Sequence, residues 1–208
     1  MGALIAGMMG IIMLPLLLLA RYGGIVAAIW LGVIGQWKIV GAALILFFCR
    51  RLLLSILFFP TLIFAPFIMR CSENRNWSGL LFCGFLSQLL SHICILIWCF
   101  GILLLFLAPA TRDSFIPCFL MAYSVSIGTL SQAAAADAEH NPDGSLAATT
   151  TSFAMLAYLI VALFEFIPGL ESPGAIIIFA GAMVISFILS ILSTIAFIQK
   201  EKSSSGID

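Results

Sequence analysis

The sequence predicts an all-α, polytopic transmembrane helix bundle of about seven spans. Three observations carry that expectation. First, the 208 residues are 63% hydrophobic and only 9% charged, with a mean hydropathy of +1.22. A soluble domain carries roughly 25% charged residues, and so few charges could not cover a water-facing surface of this size. Second, the apolar residues fall in runs near the ~20 residues a spanning helix needs, separated by short polar joints. Third, runs such as "LLFCGFLSQLLSHICILIWCFGILLLFL" are apolar on both parities. Barrel strands alternate apolar and polar. Helices satisfy their backbone groups locally, as hydrocarbon demands.

The first run, 2–20, has no basic stretch ahead of it and does not read as a cleavable signal. Gly2 follows Met1, but Ala6 breaks the myristoylation pattern. The second run, 24–49, is interrupted by Gly35-Gln36-Trp37-Lys38. The third, 52–69, carries Pro60 and Pro66, which a membrane helix tolerates as kinks. A polar joint at 70–78 leads to the fourth run, 79–108, and "APATRD" leads to the fifth, 114–134. The longest joint, 133–151, precedes the sixth run, 150–168, and "GLESPG" precedes the seventh, 174–198. The expected organisation is one membrane-embedded domain over 1–198 and a polar cytoplasmic tail over 199–208.

Residues 24–49 set the topology. If they cross once, Arg21, Arg70, Arg75, Lys200 and Lys202 share one side, and Arg50, Arg51 and Arg112 the other. If they form a re-entrant hairpin, leaving six spans, the basic residues divide evenly. The positive-inside rule favours the single crossing, with the C-terminus cytoplasmic. Gly24, Ala28, Gly32 and Gln36 also recur every four residues, a small-residue stripe that brings helix backbones together. The continuous crossing is therefore the expectation.

Polar groups inside the runs are the candidate functional residues. Lys38 and Glu165 are the two charges there. A charge at the bilayer centre costs at least ~2.5–3.5 kcal/mol, so each is expected to face protein or water, or to pair with the other. The plainer alternative sets Glu165 at headgroup level and Lys38 on a backbone carbonyl. Thr151, Tyr158, Ala162 and Glu165 share one helix face. Gly84, Ser87, Gln88, Ser91 and His92 form the strongest polar stripe, which reads first as an interhelical contact. His92 could instead relay a proton. Ser124, Gly128 and Gln132 form a similar small and polar stripe in the fifth run.

Other motifs exclude more than they suggest. Asp137, Glu139, Asn141 and Asp143 alternate as calcium ligands do, but Pro142 and Ala148 stand where an EF-hand needs Gly and Glu. The six cysteines contain no CxxC and read as small hydrophobes, with Cys49 and Cys71 near expected membrane edges. Asn76-Trp77-Ser78 matches a glycosylation sequon on the expected cytoplasmic side, where it would not be used. No Walker loop, GxSxG or HExxH occurs. Ser91 and His92, the nearest approach to a nucleophile and base, point about 100° apart on a helix. No cofactor, metal or nucleic acid is expected, and no enzyme activity.

Two functions fit. The first is an integral membrane subunit that packs, anchors or assembles a larger membrane protein complex, through other subunits or self-association in the lipid bilayer. The second is a small oligomeric transporter or channel with a path lined by His92, Lys38 and Glu165. The scarcity of intraspan charge favours the first.

Overall fold

A computed structural model describes the backbone of residues 2–140, 146–166 and 174–204, and the side chains of 14–50, 52–135, 148–163, 174 and 176–200. Regular structure among them is entirely helical: α1 (Gly2–Val33), α2 (Trp37–Phe48), α3 (Arg50–Leu57), α4 (Phe59–Glu73), α5 (Trp77–Leu107), α6 (Phe115–His140), α7 (Leu146–Phe166) and α8 (Gly174–Ser204). A 3-10 turn, Arg112–Ser114, leads into α6. Among the described residues, four helical segments are long and apolar enough to cross a membrane: Leu14–Val33, Trp77–Leu107, Arg112–Ala135 and Ile176–Lys200. Trp37–Phe48 and Ala148–Leu163 are shorter apolar helices. The helical, apolar character expected of the chain is present, while spanning length is shown for four segments and not for seven.

The largest correction falls on residues 24–49, which are not one helix. α1 runs unbroken through Arg21, where a joint was expected, and stops at Val33. Its end is a Schellman motif. The Gly35 N–H donates to the Gly32 carbonyl at 3.2 Å, and the Gln36 N–H to the Leu31 carbonyl at 2.8 Å. Gly35 has φ +79°, a left-handed conformation that costs glycine nothing and other residues about 1–2 kcal/mol. The chain turns there, so the stripe of Gly24, Ala28 and Gly32 ends one turn before Gln36. The re-entrant alternative is also incomplete, because its first arm is continuous with the run before it.

From Trp37 to Glu73 the chain follows one path with two bends. At Cys49 and Phe58 the i to i−4 bonds continue: Leu53 N–H donates to Cys49 O at 3.0 Å, and Leu62 N–H to Phe58 O at 3.1 Å. The second bend has a cause in Pro60, at the start of α4. Its ring clashes with the carbonyl four residues earlier unless the helix tilts. α4 ends in a second Schellman motif, with Asn76 N–H bonded to Cys71 O at 2.8 Å. Here Arg75, at φ 51°, fills the place glycine holds in α1. Asn76 then caps α5, its Oδ1 accepting the Gly79 N–H at 3.0 Å.

The C-terminal half forms a closed ring of four helices: α5 packs on α6, α6 on α7, α7 on α8, and α8 on α5. α1 lies along the outside of α6, and α4 along the outside of α5. α2 and α3 bridge these two outriggers, α2 touching α1 and α6, α3 touching α5 and α6. Leu31, Ile95, Leu103, Phe106, Ile127 and Phe179 are among the fully enclosed core residues. Outer faces are apolar too: Val33 is 81% exposed and Phe48 80%. α6 continues to His140 and α8 to Ser204, past the expected ends at 134 and 198.

Candidate functional site

Tyr158 occupies the middle of the four-helix ring. Its α7 position is fully buried, at 0% exposure. The hydroxyl donates to the Cys99 carbonyl on α5 at 3.0 Å. It also lies 2.8 Å from Ser126 Oγ on α6. With its one proton committed to Cys99, Tyr158 accepts the Ser126 proton, so both hydroxyls are used. The ring meets Phe119 and Tyr123 of α6 and Phe179 of α8 edge-on, at centroid distances of 5.9, 5.4 and 4.9 Å. Edge-to-face pairs of this kind add about 0.5–1.5 kcal/mol each beyond burial. One side chain thus contacts all the other members of the ring.

The stripe expected on the fourth run lies on α5 and divides between two neighbours. His92 faces α8. Its Nδ1 is 2.7 Å from the Gln88 carbonyl and its Nε2 3.1 Å from Ser186 Oγ. A carbonyl can only accept, so Nδ1 carries the proton and Nε2 accepts from Ser186. Gln88 Nε2 donates to Thr194 Oγ1 at 2.9 Å, and Thr194 in turn donates to the Ser190 carbonyl at 3.0 Å. Residue 88 meets 194 while residue 92 meets 186, so the two helices are antiparallel. Ser91 faces α4 instead, 3.1 Å from Thr61 Oγ1. Ser87 is buried on the same helix. Ser91 and His92 therefore engage different helices and form no nucleophile–base pair.

Two polar atoms of the α5/α8 seam are buried without a partner among the described residues, Gln88 Oε1 and Ser190 Oγ; Trp98 Nε1 is a third on α5. Gln88 Oε1 and Ser190 Oγ sit in the length of seam bounded by the His92–Ser186 and Gln88–Thr194 bonds.

The small-residue positions mark helix crossings. Ser124 Oγ donates to the Ala20 carbonyl at 2.6 Å, and Tyr123 donates to Leu16 O at 2.9 Å, joining α6 to α1. A Cβ on Gly24 would stand 2.6 Å from Ser124 Oγ, and one on Gly128 3.6 Å from Ala20 O. Gly24 is thus the tightest point of that contact. Gly32 lies beneath the Trp37 ring of α2, with a Cβ there 3.3 Å from it, and Ala28 is half-buried one turn earlier.

The expected charged pair is not brought together by anything described. Lys38 is exposed on α2. The Glu165 side chain lies outside the described residues, as do those of Asp137, Glu139, Asn141 and Asp143. Gln36 is half-buried between α1 and α2 and makes no side-chain cap bond. Cys99 and Cys118 are buried, whereas Cys49 is exposed. No cluster of His, Cys, Asp or Glu suited to a metal ion occurs among the described residues.

Sequence reasoning missed Thr61, Ser126, Ser186, Ser190 and Thr194. Ser186, Ser190 and Thr194 recur every four residues, as Gly84, Gln88 and His92 do on α5, so the period that found one side of the seam was also present on the other. Compared with known proteins, the chain matches no family model, no curated protein and no solved structure.

Proposed function

We propose that this chain is a multi-pass integral membrane protein whose role is structural, and that it packs, anchors or assembles a larger membrane protein complex. The observation that carries the reading is the use made of Tyr158. This fully buried polar side chain joins helices to one another, while apolar surface is left on the outside. Interhelical bonds of this kind hold bundles together where no hydrophobic force acts between helix and lipid.

Helix direction supports a finer topology. α1, the bent path α2–α4, and α5, α6, α7 and α8 make six crossings. Both ends of the chain then lie on the side of the α4–α5 turn. That side collects Arg70, Arg75, Lys200 and Lys202, the other collects Lys38 and Arg112, and Arg21, Arg50 and Arg51 fall between, within α1 and α3. The positive-inside rule puts the first group, and the C-terminus, in the cytoplasm. No enzyme activity is assigned, since Ser91 and His92 bond to different helices.

Photo-crosslinkers at the exposed positions Val33, Ile97 and Ile177, activated in native membranes, test the reading. Discrete products with another subunit or a second copy are expected. Lipid adducts alone at all three positions would overturn it.

A second reading, an oligomeric transporter or channel, draws support from the two unpartnered atoms beside His92. It requires the α5/α8 seam to admit water from a membrane face.

A further inference from the structure

The elbow between α1 and α2 carries a groove lined by Ala28, Ile29, Gly32, Val33 and Trp37. Small residues make its floor, and the Trp37 ring, folded back towards Gly32, makes one wall. Trp37 is nevertheless 67% exposed. Lys38 follows it, exposed and without a hydrogen bond or ion pair among the described residues.

The groove's level in the bundle follows from the register of α1 on α6. Ala20 lies against Ser124 and Gly24 against Ser124 and Met121, so α1 and α6 are antiparallel. Val33, nine positions beyond Gly24, therefore stands level with the start of α6, at the end of the bundle that also holds the exposed Arg112 and Asp113. The apolar floor runs from that end of the bundle along α1 towards its middle. Next to Trp37 in sequence, the exposed Lys38 supplies a cation at the elbow. An exposed tryptophan beside a lysine at the end of an apolar helix is the pattern of residues held at a membrane–water interface.

We propose that the elbow groove binds an anionic phospholipid, with an acyl chain along Ala28, Gly32 and Trp37 and the phosphate at the Lys38 ammonium. The assignment rests on the membrane reading above. Charge complementarity selects this occupant over an apolar helix of another protein, which would leave Lys38 unmatched at the rim.

Native mass spectrometry of the full chain, released from detergent with added phosphatidylglycerol or phosphatidylcholine of equal chain length, tests it. The expected result is preferential retention of phosphatidylglycerol. Lys38→Gln lowers that retention about fivefold, the usual worth of one cation near an anionic headgroup, and Lys38→Arg preserves it. Ala28→Leu, which fills the floor, lowers retention of both lipids. Lys38 is exposed, so its variants leave the fold unchanged, and a melting curve checks this. Equal retention of both lipids, unchanged by Lys38→Gln and Ala28→Leu, would overturn the site and leave the membrane reading standing. A chain that stays monodisperse without detergent would overturn both.

Discussion

Tyr158 donates its phenolic proton to the backbone of Cys99, 59 positions away in sequence, across the axis of the four-helix ring. The acceptor is a carbonyl, so the contact depends on where α5 runs and not on the Cys99 side chain. Tyr158→Phe keeps the ring and removes the hydroxyl, leaving Ser126 Oγ without its partner. An unsatisfied buried group costs about 1–3 kcal/mol. Thermal unfolding in detergent should show a loss of that size. Ser126→Ala should cost less, because Tyr158 keeps its bond to Cys99. The double variant should be less destabilised than the sum of the two, since both remove one network.

The two Schellman turns make a matched pair of predictions with opposite sign. Gly35 and Arg75 both sit at positive φ, 79° and 51°. Gly35→Ala should destabilise by about 1 kcal/mol, and Arg75→Gly should stabilise by about the same amount. Chemical or thermal denaturation of both variants against the parent measures this directly. Equal signs would mean that the chain does not turn at these residues.

The α5/α8 seam distinguishes hydroxyls that are used from one that is not. Ser186 donates to His92 Nε2, whereas Ser190 Oγ has no partner among the described residues although the residue is 7% exposed. Ser186→Ala should cost about 1 kcal/mol, because it strands a buried ring nitrogen. Ser190→Ala, which deletes an unsatisfied group, should be neutral or stabilising. Melting temperatures of the two variants separate the cases.

Much of this arrangement was legible in the sequence, and the rest was hidden for identifiable reasons. Composition gives the apolar helices, because hydropathy is a property each residue carries with it. The Gly84–Gln88–His92 and Thr151–Tyr158 faces follow from helical period alone. The turn at Gly35 was obscured because hydropathy is continuous through Val33 and Ile34 and resumes at Ile39. The signal that mattered was backbone conformation, and it rests on a single glycine followed by a polar residue. Arg21 resembled a joint, yet it is exposed on an unbroken helix, since a charge interrupts hydropathy without interrupting i to i−4 bonds. Which helix answers Tyr158 or His92 depends on long-range packing, and no local pattern encodes it. Serines 126, 186 and 190 looked like ordinary small residues until their helices were placed side by side.

Ser87, Ser91, Ser126 and Ser186 are buried within the bundle; that their contacts are dry is the central claim proposed above, and thiol accessibility tests it most directly. In a cysteine-free background, Ser87→Cys, Ser91→Cys, Ser126→Cys and Ser186→Cys change little volume, and Ser78→Cys supplies an exposed control. Each variant is treated in membranes with a water-soluble thiol reagent. Rapid labelling at 78 and none at the other four is the predicted result. Labelling at 87, 91 and 186 together, at rates approaching that of the control, would contradict it and establish a hydrated path along α5.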